Sequence, residues 1–327
     1  TGPGADRAGD ALKHGNAYGS SPHGGVLVVA GDDHGCVSSS MPHQSAVGFM
    51  AWFMPTLYPA SVGEYLAFGE YGYALSRYSG MWVGFKAISE TVESGQSVEL
   101  PAPRQFIEPD YTPPAAGLHY RWPDLPSLRI ESRLADKLEA VAAFARVNSI
   151  DKRLIDSERA KVGIVTCGKA HYDLMEVLRR LEVTPESLAA IGVRLYKVGL
   201  SFPLEKTRML DFAQGLQEIL VIEEKGAVVE TQLRDLFYNA PSGLRPALVG
   251  KLDREGRPLV PALGELRPSR LIELVAHWLS EHFPGNAELG DHFQHVRDFM
   301  PHELLSNEAD AVKRLPYFCA GCPHNTS

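Results

Sequence analysis

Cysteine is scarce in this sequence of 327 residues, which contains only four. Four cysteines do not make a disulfide framework, and Cys36 and Cys167 are isolated, so we expect a reducing, cytoplasmic compartment. No apolar run approaches the roughly 20 residues that a helix needs to cross a bilayer, so no membrane segment is predicted. Positive charge is in deficit too, with 32 Lys and Arg against 40 Asp and Glu, which argues against a nucleic-acid-binding surface.

Common catalytic signatures are also missing. The chain has no G-x-S-x-G elbow, no H-E-x-x-H and no P-loop, which leaves the corresponding hydrolase, metalloprotease and nucleotidase classes without support. The stretch "GPGADRAG" resembles a dinucleotide-binding loop only loosely, because Arg7 takes the place of the third glycine and no strand precedes it.

The hydrophobic pattern predicts an α/β protein. Continuous apolar runs, rather than alternating ones, indicate strands that are buried on both faces of a parallel sheet. The predicted strands are 26–30, 81–88, 162–167, 193–199 and 218–225. Helical spacing predicts helices at 6–19, 60–79, 131–146, 171–181, 206–216, 228–238 and 270–280. Alternation of strand and helix over 158–239 predicts a doubly wound α/β domain.

The polar loop 31–45, "GDDHGCVSSSMPHQS", follows the first predicted strand. Ligands of parallel α/β sheets bind beyond the carboxyl ends of the strands, so the loop is either a site or an ordinary solvated loop. Glu223 and Glu224 end another strand and could act as acid and base. For that pair we favour a solvated strand end with Lys225 as the ionic partner.

A C-x-x-C motif lies near the end of the sequence, in "PYFCAGCPHNTS". Thiolates at this spacing can share a metal or the irons of a cluster, whereas Pro323 spoils the helix that thioredoxin-type redox chemistry would need. No second C-x-x-C is present, so either further ligands lie downstream or the cysteines are not ligands. We therefore expect this sequence to be a segment of a longer chain.

Stretches from three parts of the sequence together resemble the indolepyruvate ferredoxin oxidoreductases, in particular their long fused bacterial form. The stretch 2–45 resembles the pyrimidine-binding domain of that family. "RLYKVGLSFPLE" and "VIEEKGAVVETQLRDLFYN" resemble its transketolase-C-terminal-like domain, and "LPYFCAGCPHNTS" resembles the opening of its pyrophosphate-binding domain. The implied organisation is the C-terminal part of a pyrimidine-binding domain at 1–110, a linker and helix at 111–157, a transketolase-C-terminal-like domain at 158–239, an irregular connecting segment at 240–312 and the start of a pyrophosphate-binding domain at 313–327.

The resemblance implies the oxidative decarboxylation of an aryl 2-oxoacid with coenzyme A, with electrons passing to ferredoxin. It implies thiamin diphosphate, Mg²⁺ and a 4Fe–4S cluster as cofactors, and a homodimer. The glutamate that activates the aminopyrimidine would lie upstream of Thr1 and the Mg²⁺ ligands downstream of Ser327. We therefore expect the segment alone to be inactive.

Site residues can be carried over by the same resemblance. It implies catalytic roles for His34 and His43, and metal ligation by Cys319 and Cys322. The implied cofactor-binding residues are Asp32, Asp33, Ser38, Ser39, Gln44, Gly321, Pro323 and His324. Ala46 departs from the family pattern, which has an acidic residue there. Two alternatives stay open, namely a non-catalytic scaffold of the same fold and a zinc protein that uses Cys319, Cys322 and His324.

Overall fold

The structure is a computed structural model, and it describes residues 2–37, 39, 41–100, 102–121, 124, 127–286 and 289–294. Two β-sheets, with four and five strands, organise the described part of the chain. Helices pack around both sheets, which confirms the predicted mixed α/β class. Within the described ranges, no helix is both long enough and apolar enough to span a membrane.

The first unit contains the four-stranded sheet. Its elements before residue 150 are α1 (Gly2–Arg7), α2 (Gly9–Tyr18), β1 (Leu27–Asp32), α3 (Ser45–Ala51), β2 (Thr56–Leu57), α4 (Glu64–Ser79), β3 (Val83–Ile88), α5 (Ser89–Val92) and α6 (Arg129–Val147). Strands β1, β3 and β2 run parallel in that order. Helices α4 and α6 cover one side through a shared apolar cluster that includes Tyr71, Leu75 and Phe144.

Two details of the first unit differ from the sequence prediction. Strand β1 is an edge strand that pairs only with β3, and the side chain of Val29 is 62% exposed, so the predicted burial on both faces is wrong for this strand. Helix α4 begins at Glu64 rather than at the predicted residue 60, and no side chain caps its start. The Glu64 carboxylate instead accepts the Ala60 N–H and pairs with Lys197 of the other unit.

The second unit contains the five-stranded sheet. From residue 152 onward the elements are β4 (Lys152–Ile155), β5 (Val162–Cys167), α7 (Ala170–Arg180), α8 (Pro185–Ile191), β6 (Val193–Val198), β7 (Leu200–Phe202), α9 (Lys206–Ala213), β8 (Glu218–Ile222), α10 (Val229–Tyr238), β9 (Ala247–Val249) and α11 (Pro268–His282), and all of them except β7 belong to this unit. The strand order is β4-β6-β5-β8-β9, with all pairs parallel except β4 with β6. Helices α7 and α11 cover one face, and α9 and α10 cover the other.

Strands β5, β6 and β8 follow the predicted doubly wound pattern. The unit also includes β4, β9 and α11, which lie outside the predicted range 158–239. Strand β7 belongs to the first sheet, where it pairs antiparallel with β2. The chain therefore leaves one sheet at Val198 and enters the other at Leu200. One Asp151 carboxylate oxygen accepts the Gly199 and Leu200 N–H groups at 2.7 and 3.0 Å, which satisfies the backbone at this crossing.

Candidate functional site

The carboxyl ends of four parallel strands, β1 and β3 of one sheet and β5 and β8 of the other, meet between the two units. Each contributes one polar residue from the second position after the strand, and we call this set the strand-end junction: His34, Glu90, Lys169 and Glu224. Such strand ends are where parallel α/β folds bind ligands. The junction is therefore the candidate site that the topology itself creates.

Glu224 is the centre of the junction. Its Oε2 atom accepts hydrogen bonds from His34 Nδ1 at 2.9 Å and from the Tyr58 hydroxyl at 3.0 Å. Its Oε1 atom accepts the Leu266 N–H at 2.9 Å and lies 3.6 Å from Lys169 Nζ. The side chains of Glu224 and His34 are both fully buried, so this contact joins the two units out of reach of solvent.

Burial, hydrogen bonding and neighbouring charges shift the pKa values of both members of this pair. Burial, followed by the positive charge of Lys86, lowers the pKa of His34. Burial by itself would raise the pKa of Glu224, but the hydrogen bond from His34 and the charge of Lys169 outweigh it and lower that pKa to about 2. The Glu224 carboxylate is therefore charged at neutral pH, and Nδ1 is the ring nitrogen of His34 that contacts it.

The turn after β8 also forms hydrogen bonds with the C-terminal end of the loop 31–45. Gln44 donates to the Gly226 carbonyl at 3.1 Å and accepts the Gly226 N–H at 2.9 Å. Lys225 Nζ donates to the backbone carbonyl of His34 at 2.6 Å. With the contact between His34 and Glu224, these bonds attach both ends of the loop to one turn of the second unit.

Aspartates shape the loop from within. Asp32 accepts the N–H and the hydroxyl of Ser45, which places its carboxylate at the start of α3, and it lies 3.6 Å from Lys86. The carboxylate of Asp33 accepts the Val37 N–H at 2.9 Å, and its carbonyl accepts the His43 N–H. Both residues therefore determine the path of the backbone.

Comparison with known proteins identifies relatives along nearly the whole chain. Residues 152–301 match the indolepyruvate oxidoreductase domain. The indolepyruvate oxidoreductase subunit IorA of Thermococcus kodakarensis is 26% identical over 324 residues, which cover 95% of this chain and 45% of that protein. The IorA subunit of Pyrococcus abyssi is 26% identical over 316 residues, which cover 93% and 44%.

This chain is similar to indolepyruvate oxidoreductase subunits over nearly its whole length. It spans somewhat less than half the length of the curated relatives it matches. The 2-oxoglutarate:ferredoxin oxidoreductase of Magnetococcus marinus shares the fold with a TM-score of 0.57 and 16% identity, over 84% of this chain and 52% of that one. The resemblance that the three sequence motifs indicated is thus confirmed, whereas the long fused form stays a prediction.

The residues predicted from the motifs have different surroundings in the structure. Asp32, Asp33, His34 and Gln44 lie in the hydrogen-bond network described above. His43 instead lies against α1, with Nε2 at 3.3 Å from Asp6. The two predicted catalytic histidines therefore contact different parts of the chain.

The other predicted site residues add little to the described geometry. Ser39 contributes its carbonyl oxygen, which accepts a bond from the Cys36 thiol at 2.8 Å. The remaining predicted residues lie outside the described ranges: Ser38, Cys319, Gly321, Cys322, Pro323 and His324. Their predicted roles stay predictions.

Sequence reasoning missed the residues that the second unit contributes. The preference for a solvated Glu223–Glu224 pair is wrong, because both side chains are buried. Glu223 accepts the N–H groups of Val228, Val229 and Glu230 at the start of α10. The sequence signal that could have identified Glu223 and Glu224 as buried is an acidic pair directly after a wholly apolar strand. Tyr58, Lys86, Glu90 and Lys169 gave no comparable signal.

Proposed function

We propose that this chain is part of a thiamin diphosphate-dependent oxidoreductase that decarboxylates an aryl 2-oxoacid of the indolepyruvate type. The products would be an acyl-CoA, carbon dioxide and electrons for ferredoxin. The observation that carries the proposal is similarity to indolepyruvate oxidoreductase subunits over 93–95% of the chain. The fold shared with a 2-oxoglutarate:ferredoxin oxidoreductase supports it independently.

The hydrogen bonds of the loop 31–45 suit a supporting role toward the cofactor. The carboxylate of Asp32, the amide of Gln44 and Nδ1 of His34 are all engaged by protein groups. These atoms therefore fit the support of a loop that faces the cofactor better than direct contact with it. Thiamin diphosphate would supply the carbanion chemistry when bound, and the residues of this chain would hold the loop in one conformation.

The finer parts of the assignment belong to the same proposal. The whole enzyme would use Mg²⁺ with the thiamin diphosphate and a 4Fe–4S cluster as electron acceptor, with Cys319 and Cys322 as cluster ligands. Coenzyme A and ferredoxin would be its partners, in a cytoplasmic homodimer. His34 and His43 would act at the cofactor-facing loop, and this segment would be inactive by itself.

Two glutamine variants of the full-length enzyme test the proposal. Gln44→Ala removes both bonds to Gly226, and we expect turnover of indolepyruvate with coenzyme A and ferredoxin to fall at least about tenfold, since a displaced loop misaligns the reacting groups. Gln96→Ala is the matched control, because its side chain also accepts a glycine N–H, that of Gly63, at an exposed place. Turnover in this control should stay within about twofold of the parent.

Added thiamin diphosphate completes the test. The parent enzyme should require added thiamin diphosphate for turnover of indolepyruvate. Pyruvate serves as a comparison substrate. A folded, cofactor-loaded full-length protein that turns over no 2-oxoacid would contradict the proposal. That result would favour a non-catalytic scaffold of the same fold. Equal turnover in Gln44→Ala and the parent would contradict only the proposed role of the loop and not the assigned reaction.

A further inference from the structure

The Glu224 carboxylate has hydrogen-bond donors at both of its oxygens. The Leu266 N–H lies 2.9 Å and Lys169 Nζ 3.6 Å from Oε1, and neither group can accept a hydrogen bond. The Tyr58 hydroxyl lies 3.0 Å and His34 Nδ1 2.9 Å from Oε2, and both of these groups can either donate or accept. The carboxylate is therefore held on one side and holds the imidazole on the other.

The bond between Glu224 and His34 determines which nitrogen of the imidazole can exchange a proton. A charged carboxylate only accepts hydrogen bonds, so the bond at 2.9 Å requires a hydrogen on Nδ1. Whether the ring is neutral or charged, the proton that it gains or loses is then the one on Nε2. Both side chains are fully buried, so water does not compete for this bond.

His34 is fixed at its backbone as well as at its ring. Lys225, the residue that directly follows Glu224, donates from Nζ to the His34 carbonyl at 2.6 Å. Turning the ring to find another partner for Nε2 would break the bond between Nδ1 and Glu224. The second unit therefore sets both the position and the orientation of this histidine.

The Nε2 atom of His34 is buried and has no hydrogen-bond partner among the described residues. The same holds for Oε1 of Glu90, and one carboxylate oxygen of Glu90 lies within 4.8 Å of a ring nitrogen of His34. A buried polar atom without a partner costs about 1–3 kcal/mol. The bonds of His34 keep its ring in place despite this cost, a pattern that is expected where a group is held for function.

We propose that Glu224 is a positioning residue that acts through His34: it keeps a hydrogen on Nδ1, so that Nε2 is the nitrogen that accepts and returns a proton in the reaction. When Nε2 takes a proton from an O–H, N–H or S–H group of the bound reactants, a new N–H bond forms there and the bond of the donor breaks. The Nδ1–H bond is unchanged, and the charge of Glu224 stabilises the imidazolium. This inference rests on the function proposed above.

Replacing Glu224 by glutamine tests the position of the hydrogen directly. The amide oxygen must face the Leu266 N–H and Lys169, which only donate, so the amide nitrogen faces His34 Nδ1. Nδ1 then has to accept, and the hydrogen of a neutral ring moves to Nε2. With isotope-labelled histidine in this chain, nitrogen NMR shifts of His34 should show a protonated Nδ1 in the parent. In Glu224→Gln they should show a bare Nδ1 and a protonated Nε2, and His34→Gln identifies the signals.

Glu218→Gln is the matched control. Glu218 is a buried glutamate at the other end of strand β8, where it accepts the Trp278 indole N–H at 2.6 Å and lies 2.9 Å from His282 Nε2. In the full-length enzyme, Glu224→Gln should lower kcat for indolepyruvate at least about 100-fold and change KM less than about threefold. Glu218→Gln should also lose stability, but its His34 signals and its turnover per folded enzyme should match the parent.

The parent measurement decides the question even if Glu224→Gln does not fold, because a His34 ring with hydrogen only on Nε2 would overturn the proposal. Unchanged hydrogen positions or full turnover in a folded Glu224→Gln enzyme would overturn it too, and so would an equal loss of turnover in Glu218→Gln. A parent enzyme that turns over no 2-oxoacid would contradict the proposed function and the catalytic part of this inference. The nitrogen shifts would still show whether Glu224 positions the ring.

Discussion

The two sheets bury their strands to different extents. In the second unit every residue of β5 and β8 is buried, because α7 and α11 cover one face and α9 and α10 the other. In the first unit β1 lies at an edge with Val29 largely exposed, and the opposite edge is completed by β7, which follows directly after β6. The second sheet is thus formed by elements that are close together in the chain, whereas the first sheet is completed by β7, which lies more than 100 residues after β3 in the sequence.

The difference shows that an apolar run does not by itself determine how deeply a strand is buried. The runs at 26–30 and 162–167 look alike in sequence, but the position of the strand and the helices that cover it decide the outcome. Stability should therefore respond more strongly to changes in the second sheet than to the same changes in β1.

The largest expected effect compares one substitution in both sheets. Leu220 in β8 is fully buried, so Leu220→Ala should lower the free energy of unfolding by about 2–5 kcal/mol. Leu27 in β1 is only partly buried, so Leu27→Ala should cost about 1–2 kcal/mol. Urea unfolding of both variants measures the difference. Equal losses would mean that β1 is as well covered as β8, and the contrast drawn here would fail.

A smaller effect is expected at the crossing between the sheets. Asp151→Ala leaves the N–H groups of Gly199 and Leu200 without their acceptor, and we expect a loss of about 2 kcal/mol. Asp151→Asn keeps one acceptor oxygen and should lose roughly half as much. In Asp151→Ala, amide hydrogen exchange should become faster at β7 and β2 by a larger factor than at β5. Uniformly faster exchange in both sheets would argue against a local role.

Near neutral pH, the smallest effect is a pH dependence that belongs to the second unit. Burial, followed by the charges of Lys197 and Lys152, lowers the pKa of His171 to about 4. Between pH 6.5 and 4 the unfolded chain therefore binds a proton here that the folded chain does not, so stability falls as pH falls, by on the order of 1 kcal/mol per pH unit. His171→Gln should remove this contribution.

Two carboxyl groups act in the opposite direction over the same range. Burial raises the pKa of Asp151 and of Asp173 to about 6, so in that range they bind protons more readily in the folded chain. The measurement is therefore the difference in unfolding free energy between parent and His171→Gln, followed from pH 7 to pH 4. A difference that stays constant across this range would contradict the prediction.

Much of the fold follows from local patterns in the sequence. Strand β5 has its predicted bounds, and β6, β8, α7, α10 and α11 lie within a few residues of theirs, because burial on both faces and helical periodicity are properties of short stretches. The short strands β2, β4, β7 and β9 were not predicted. Each has two to four residues, and their pairing depends on partners far away in the chain.

The candidate site, like the fold, has one part that could be predicted from the sequence and one part that could not. The sequence by itself determined that the loop 31–45 follows a strand and carries polar groups, since those facts are local. Only the tertiary structure decided that Glu224 meets His34 across 190 residues of chain, and that Glu90 and Lys169 join them. The physical reason is that a buried carboxylate is stable only where several donors converge on it, and the packing of the two units alone brings those donors together.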